Sequence, residues 1–274
     1  MPARIVQSQQ NARLKELRKA LAGPGRNGHG LAGIEGPSLV EEALRSGLRV
    51  PCVLAAQGFE NLLDELPLPS GTEVLLMPRP LLDSALATET PQPMAALVEP
   101  PDWTWAHVFG GHGSRAGLVV ILAGLQDPGN VGAILRSAEA FGATGVVSLP
   151  GTVSAWNPKA VRASAGSVFR LPLVRASAGD CFERLREAEM RTWTTAVRAA
   201  EPADLIDLAA PVALILGNES NGVPPELAAM ADGAITISCP GPVESLNAAV
   251  AAGVLLYEAA QQRRKLPALR GSAS

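Results

Sequence analysis

The run Gly117-Leu118-Val119-Val120-Ile121-Leu122, with Leu125-Gln126-Asp127-Pro128-Gly129-Asn130-Val131-Gly132-Ala133-Ile134-Leu135-Arg136-Ser137-Ala138 close behind it, decides the fold. The first part is a continuous apolar run, as in strands buried on both faces of a parallel sheet. The second passes through a Pro/Gly/Asn turn into a helical pattern that sets Val131, Ile134, Leu135, Ala138 and Phe141 on one side. Two later stretches repeat the plan: Ile215-Leu216-Gly217-Asn218-Glu219-Ser220-Asn221-Gly222, and Ile237-Ser238-Cys239-Pro240-Gly241-Pro242-Val243-Glu244-Ser245-Leu246-Asn247-Ala248-Ala249. Each moves from a β-like run through a turn to a helix former, so each leaves polar residues at the carboxyl end of a strand. In an open α/β sheet that rim is where ligands bind.

Working outward, further strands are expected at 145–149, 192–196, 212–217 and 234–238, with helices at 181–188 and 245–264. Regular alternation of this kind implies a largely parallel sheet covered by helices. Upstream lies a smaller α/β pattern: a helix at 11–21, a glycine-rich loop at 23–30, strands at 31–35, 50–55, 73–77 and 94–98, and helices at 37–46 and 59–66. The Pro/Gly-rich segment that follows reads as a linker. The expected organisation is a first domain over 1–100, a linker over 101–115, a second domain over 116–266 and a frayed tail over 267–274.

At 274 residues, 47% hydrophobic and 18% charged, the chain has the composition of a globular protein with room for two domains. The opening Met1-Pro2-Ala3-Arg4-Ile5-Val6-Gln7-Ser8 lacks the apolar core of a signal peptide, and the apolar stretch at 247–260 is too short to span a bilayer. A cytoplasmic protein without membrane contact is expected. Cys52, Cys181 and Cys239 are far apart and show no metal or redox spacing, so they read as free thiols. His29, His107 and His112 all fall in expected loops, which speaks against histidine-based nucleophilic or metal chemistry. No Gly-x-Gly-x-x-Gly follows the strand at 117–122, and no Gly-x-x-x-x-Gly-Lys-Ser/Thr occurs, so ordinary dinucleotide and nucleoside-triphosphate sites are unsupported.

The net charge of -3 excludes a uniformly basic nucleic-acid binder, yet the charges are uneven. Residues 1–26 hold Arg4, Arg13, Lys15, Arg18, Lys19 and Arg26 against Glu16 alone, and residues 151–179 hold Lys159, Arg162, Arg170 and Arg175 with no acid. Local patches of this sort attract phosphate, or they are simply solvated helix faces. With aromatics at 4%, extensive base stacking is not expected.

Within the three stretches, Asn130 reads as a helix N-cap. Arg136, nearly two turns on and opposite the apolar face, could hold a phosphate bidentately or pair with Glu139 on an exposed surface. Glu219 sits in a loop between two glycines, either facing a ligand or forming a solvent-exposed turn. Asn247 stands at the head of a helix rich in Ala and Gly and needs a hydrogen-bond partner if buried.

Taken together, the order, spacing and content of the three stretches closely resemble the motifs of the SpoU (TrmH) branch of the SPOUT methyltransferases, over about residues 116 to 264. Lys159-Ala160-Val161-Arg162-Ala163-Ser164-Ala165-Gly166-Ser167-Val168-Phe169 is similar to that family's Arg-x-Ser-x-Gly segment. More weakly, residues 11–15, Gly33-Ile34-Glu35-Gly36 and Leu39-Val40 resemble its L30e-like substrate-binding domain. The resemblance implies an α/β chain with a carboxyl-terminal trefoil-knotted domain on a mainly parallel sheet, preceded by the L30e-like module. It also implies a homodimer, without metal, that binds S-adenosylmethionine at Leu216, Gly217, Ile237, Pro240 and Leu246. The catalytic positions it implies are Asn130, Arg136, Glu219, Ser245 and Asn247. RNA contacts are expected from the basic patches at Arg13, Lys15, Arg26 and Arg162, although contacts in the 23–30 loop do not transfer from the family position by position. Asn218 and Ser220, which vary among relatives, stay outside the catalytic set.

The implied activity is methylation of a ribose 2′-hydroxyl of RNA, with 23S ribosomal RNA favoured over transfer RNA by the front module. The competing expectations are a non-enzymatic RNA-binding protein of the ribosome-assembly type and a tRNA 2′-O-methyltransferase. An arginine is effectively always protonated, so Arg136 is expected to hold phosphate and developing alkoxide while the proton leaves by another route.

Overall fold

A computed structural model of the 274-residue chain describes residues 3–23, 28, 30–86, 88–110, 117–198, 200–242 and 245–265. In chain order the first elements are β1 (Arg4–Ile5), α1 (Ala12–Ala22), β2 (Ala32–Glu35), α2 (Pro37–Arg45), β3 (Cys52–Ala56), α3 (Asn61–Asp64), β4 (Glu73–Met77), α4 (Arg79–Asp83) and β5 (Met94–Val98). There follow α5 (Trp105–Val108), β6 (Leu118–Leu122), α6 (Pro128–Ala140), β7 (Gly145–Ser148), α7 (Pro158–Ser164), α8 (Ser167–Arg170), β8 (Leu173–Arg175) and α9 (Ala178–Glu187). The last are β9 (Arg191–Thr195), β10 (Glu201–Pro202), β11 (Val212–Leu216), α10 (Pro225–Ala228), β12 (Gly233–Thr236) and α11 (Ala248–Lys265). The chain divides into two compact units, Met1–Asp102 with Val153–Arg170, and Trp103–Thr152 with Leu171–Ser274.

In the first unit the sheet order is β1-β4-β3-β5-β2, with β1, β4 and β3 parallel and β5 antiparallel to both of its neighbours. Asn11 opens α1 by accepting the Leu14 amide at 3.2 Å. Leu14, Leu17 and Leu21 then face Leu54, Leu75 and Leu97 of the sheet. Gly33 allows α1 to lie close to β2, since a Cβ there would come within 2.9 Å of the Leu21 side chain. Residues 153–170, expected within the second domain, group with this unit. Arg170 pairs with Glu42 and donates to Ser46 Oγ at 2.9 Å, and Gly166, at φ +87°, leaves no room for a side chain beside Glu42.

The second unit is built on a sheet ordered β10-β12-β9-β11-β6-β7-β8 in which every adjacent pair is parallel. Its centre is the β6–β11 pair, in register from Leu118 opposite Val212 to Leu122 opposite Leu216. Val119, Ile121, Ala213 and Ile215 pack with Val147 and with Cys181, Phe182 and Leu185 of α9. Alternation along a strand sends Val120, Leu122, Leu214 and Leu216 to the opposite face. These residues are buried there, as are Val131, Ile134, Leu135 and Ala138 of α6 and Leu255 of α11. Because all pairs are parallel, the loops that leave β6, β9, β11 and β12 share one rim. The returns from helix to strand, such as the turn at Glu189 (φ 53°), use the other.

Three features depart from the sequence expectations. The stretch read as a linker contains α5, whose Val108 is fully buried against Gly145. His107, expected in a loop, is in that helix, where its ring Nδ1 accepts the Thr104 amide at 3.0 Å. The N-cap of α6 is Asp127 rather than Asn130: its carboxylate accepts the amides of Gly129 at 3.2 Å and Asn130 at 3.3 Å. Pro128 at the first helical position has its φ fixed for the helix and lacks the N–H that would otherwise need a partner. The helix therefore begins before Asn130, whose side chain turns to other loops.

Candidate active site

The first loop approaches the second through side chains. Asn130 Nδ2 donates to Glu219 Oε1 at 2.9 Å, and Asn247 Nδ2 donates to Asn130 Oδ1 at 3.1 Å. Asn247 also caps α11, its Oδ1 accepting the amides of Ala249 at 2.9 Å and Val250 at 3.3 Å. That cap explains why the helix starts at Ala248 and not at 245. One polar chain thus joins the three stretches, and each asparagine works at both ends of its amide.

Glu219 terminates the chain. Partial burial raises its carboxyl pKa, but hydrogen bonds from Asn130, from its own amide and from the amides of Gln126 and Asp127 outweigh that effect and hold it below the ordinary glutamate value. A carboxylate so held is an acceptor across the working pH range. Gly217, at the end of β11, lies against the backbone of Gly222, where a Cβ would overlap it. Asn218 and Gly222 exchange main-chain hydrogen bonds at 2.9 Å and close the loop above Gly217.

Beside these loops is a cavity of about 670 Å³, lined by Leu216 and Gly217, by Ile237, Cys239, Ser245 and Leu246, and by Thr194 to Val197 at the end of β9. Pro240 is exposed and is not among its lining residues. Asn130 and Asn247 stand outside the lining, and Arg136 is exposed on α6 with no hydrogen-bond or ion-pair partner among the described residues. The exposed pairing with Glu139 that the sequence allowed is therefore not formed. Sequence reasoning missed the Thr194–Val197 wall and the amides of Gln126 and Asp127. The former could have been found from its position at a strand's carboxyl end.

The basic residues expected to contact RNA differ in their surroundings. Arg13 is engaged by Glu16 at 2.9 Å and Glu73 at 3.0 Å, and these hydrogen bonds raise its pKa further. Lys15 donates to Gln10, and Arg162 is exposed on α7. Arg26 lies outside the described residues. Among the described residues no group of three or more His, Cys, Asp or Glu could hold a metal ion, and no helix is long and apolar enough to cross a membrane.

Residues 117–257 match the model of the SpoU rRNA Methylase family. The chain belongs to this family. Residues 11–96 match a second model, the MRM3-like substrate binding domain. Among relatives of this SpoU chain, the 23S rRNA (guanosine(2553)-2′-O)-methyltransferase RlmP of Bacillus subtilis is 32% identical over 256 residues, 92% of this chain and 97% of that protein. The AdoMet-bound rRNA methyltransferase of Sinorhizobium meliloti superposes with a TM-score of 0.81 at 30% identity, covering 97% of this chain and 99% of that one. The SpoU methyltransferase AviRb of Streptomyces viridochromogenes, in complex with AdoMet, gives 0.78 at 29% identity, with 93% and 99% covered.

The cavity fits the cofactor that these SpoU structures contain. Its volume is in the range of small-molecule sites. Leu216, Ile237 and Leu246 offer apolar walls, and the close approach of Gly217 and Gly222 brings main chain into the lining.

Proposed function

We propose that the chain transfers a methyl group from S-adenosylmethionine to a ribose 2′-hydroxyl of 23S ribosomal RNA. The observation that carries this reading is the continuous chain Asn247–Asn130–Glu219, which ends on a residue that lines the cavity. When bound, S-adenosylmethionine supplies an electrophilic methyl group on a sulfonium. Leu216, Gly217, Ile237 and Leu246 hold it, with Pro240 adjacent. Ser245, exposed at the cavity, meets the incoming ribose.

Arg136 carries a permanent charge and a planar fork of donors. It binds the phosphate next to the target ribose and stabilises negative charge developing on the 2′-oxygen. Asn130 and Asn247 fix the first and third loops to each other, and Glu219 anchors the second. Fixed loops convert the reaction into a positioned transfer, which contributes most of the rate. Arg13, Lys15, Arg26 and Arg162 contribute to RNA affinity, Arg13 only through a guanidinium already shared with two acids.

Three further features belong to the same proposal. The carboxyl-terminal segment is threaded as a trefoil knot, consistent with Asn247 reaching back to Asn130. The protein works as a cytoplasmic homodimer without metal. Val250, Val254 and Tyr257 leave an apolar stripe exposed on α11, suited to a second copy. The decisive experiment incubates the purified chain with labelled S-adenosylmethionine and 23S rRNA, then maps ribose methylation by mass spectrometry. A methylated 2′-oxygen is expected. Binding of RNA without methyl transfer or cofactor uptake would establish a non-enzymatic binder instead, and methylation of tRNA alone would reassign the substrate.

A further inference from the structure

The ladder between β6 and β11 ends where Ala123 N donates to Leu216 O at 2.9 Å. Beyond that rung the two strands run into loops whose main chains no longer pair, one through Gly124 and one through Gly217. Asn218 supplies a rung by side chain: its Nδ2 donates to the Gly124 carbonyl at 2.9 Å, across 94 positions of sequence. Its Oδ1 meanwhile accepts the amides of Ser220 at 2.9 Å and Asn221 at 3.3 Å, which folds the 218–222 turn. Gly124 is itself fixed, since its amide donates to Thr152 Oγ1 at 2.9 Å and that hydroxyl donates to Leu122 O at 2.8 Å.

We infer that Asn218 is a positioning residue for methyl transfer, tying the second loop to the first so that Glu219 meets Asn130 and the amides of Gln126 and Asp127. This rests on the reading of the site as a methyl-transfer centre. The side chain suits the task by type. Aspartate has the acceptors but no donor, serine is too short to reach both partners, and glutamine is one methylene too long. Asn218 is half-buried and lines the cavity, but both ends of its amide are taken up by main chain, so its effect passes through Glu219.

The test compares Asn218→Asp and Asn218→Ala with the unmodified chain in single-turnover methylation of 23S rRNA, in AdoMet binding by calorimetry and in amide hydrogen exchange. Asn218→Asp keeps the turn acceptors and faces the Gly124 carbonyl with an oxygen. Asn218→Ala removes both functions. The expected outcome is a loss of methyl-transfer rate on the order of 10- to 100-fold in both variants, the scale of a small misplacement of catalytic groups. AdoMet affinity is expected to change far less. In Asn218→Ala the acidic limb of the pH–rate profile moves to higher pH, as Glu219 loses its fixed donors. A full rate in Asn218→Asp overturns the inference, and so does a loss of AdoMet affinity that matches the loss of rate.

Hydrogen exchange of the unmodified chain decides the matter even if both variants fail to fold. The amides of 220–222 and of 126–127 are expected to open as one unit, and separate opening overturns the tether. An unmodified chain that neither binds AdoMet nor methylates RNA defeats the functional reading, and the exchange result alone then judges Asn218.

Discussion

The amide nitrogen of Asn247 and the amide oxygen of Asn130 are 3.1 Å apart, joining positions separated by 117 residues. Since that oxygen accepts, the remaining end of the Asn130 amide is its nitrogen. A carboxylate can only accept, so Glu219 takes the hydrogen bond that Asn130 has left to give. The three side chains have one compatible orientation. Asn130→Asp places two carboxylates together and deprives Glu219 of a donor. Its methyl-transfer rate is expected to fall on the order of 100-fold or more, the scale of losing a preorganised polar contact. Single-turnover assay of Asn130→Asp checks this, and activity within a few-fold of the unmodified chain would show that the orientation is not needed.

The depressed pKa of Glu219 has a consequence for stability. Its folded value lies below its unfolded one, so the carboxylate stabilises the fold fully above the ordinary glutamate value, and the contribution is lost as pH falls through the folded value. Urea midpoints of the unmodified chain and Glu219→Gln, measured as a function of pH, should diverge above that window and converge below it. A difference that stays constant through the acid range would remove the ionised carboxylate from the account.

Arg136 is exposed and without a partner among the described residues, so its truncation should leave the fold intact. Arg136→Ala is expected to keep the melting temperature while methyl transfer drops on the order of 100-fold or more. Arg136→Lys retains charge but not the planar fork and should recover only part of the rate. Full activity with unchanged pH dependence in Arg136→Lys would exclude a bidentate role.

The three thiols should react unequally. Burial pushes Cys52 and Cys181 up to about 12, and a neutral thiol is a poor nucleophile. Cys239 is exposed and lines the cavity. A maleimide is expected to label Cys239 alone in the native chain, and AdoMet to slow that labelling, both read by mass spectrometry of peptides. Comparable labelling of Cys52 or Cys181, or labelling indifferent to the cofactor, contradicts the placement of the third loop.

Much of the frame was legible because its signals are local. The run Leu118–Leu122 could hardly be other than a central parallel strand, and the helical spacing after it marked the buried face of α6. The three loops were legible as a group because each follows such a strand. The cap of α6 is ambiguous in the sequence because Asp127 and Asn130 are both good caps, and Pro128 between them, a first-turn residue, is the signal that separates them. The strands β8 and β10 have three and two residues, too few for a pattern. The pairing of Arg13 with Glu73 spans 60 positions, and no local feature of either residue announces it. The role of Asn218 has no local signal, because the carbonyl it binds belongs to another loop and has no side-chain signature.

The parallel sheet also divides the second unit for engineering purposes. In that unit the described turns that lead from helix into strand lie at the edge away from the cavity, and the exposed Glu189 turn is one of them. A flexible reporter peptide spliced in there lengthens a surface connection, at an entropic cost that grows only slowly with length. The same graft between Gly217 and Gly222 would pry apart a lattice of hydrogen bonds shared by distant parts of the chain. Tagging tolerance thus becomes a map of which edge of that sheet carries the candidate site.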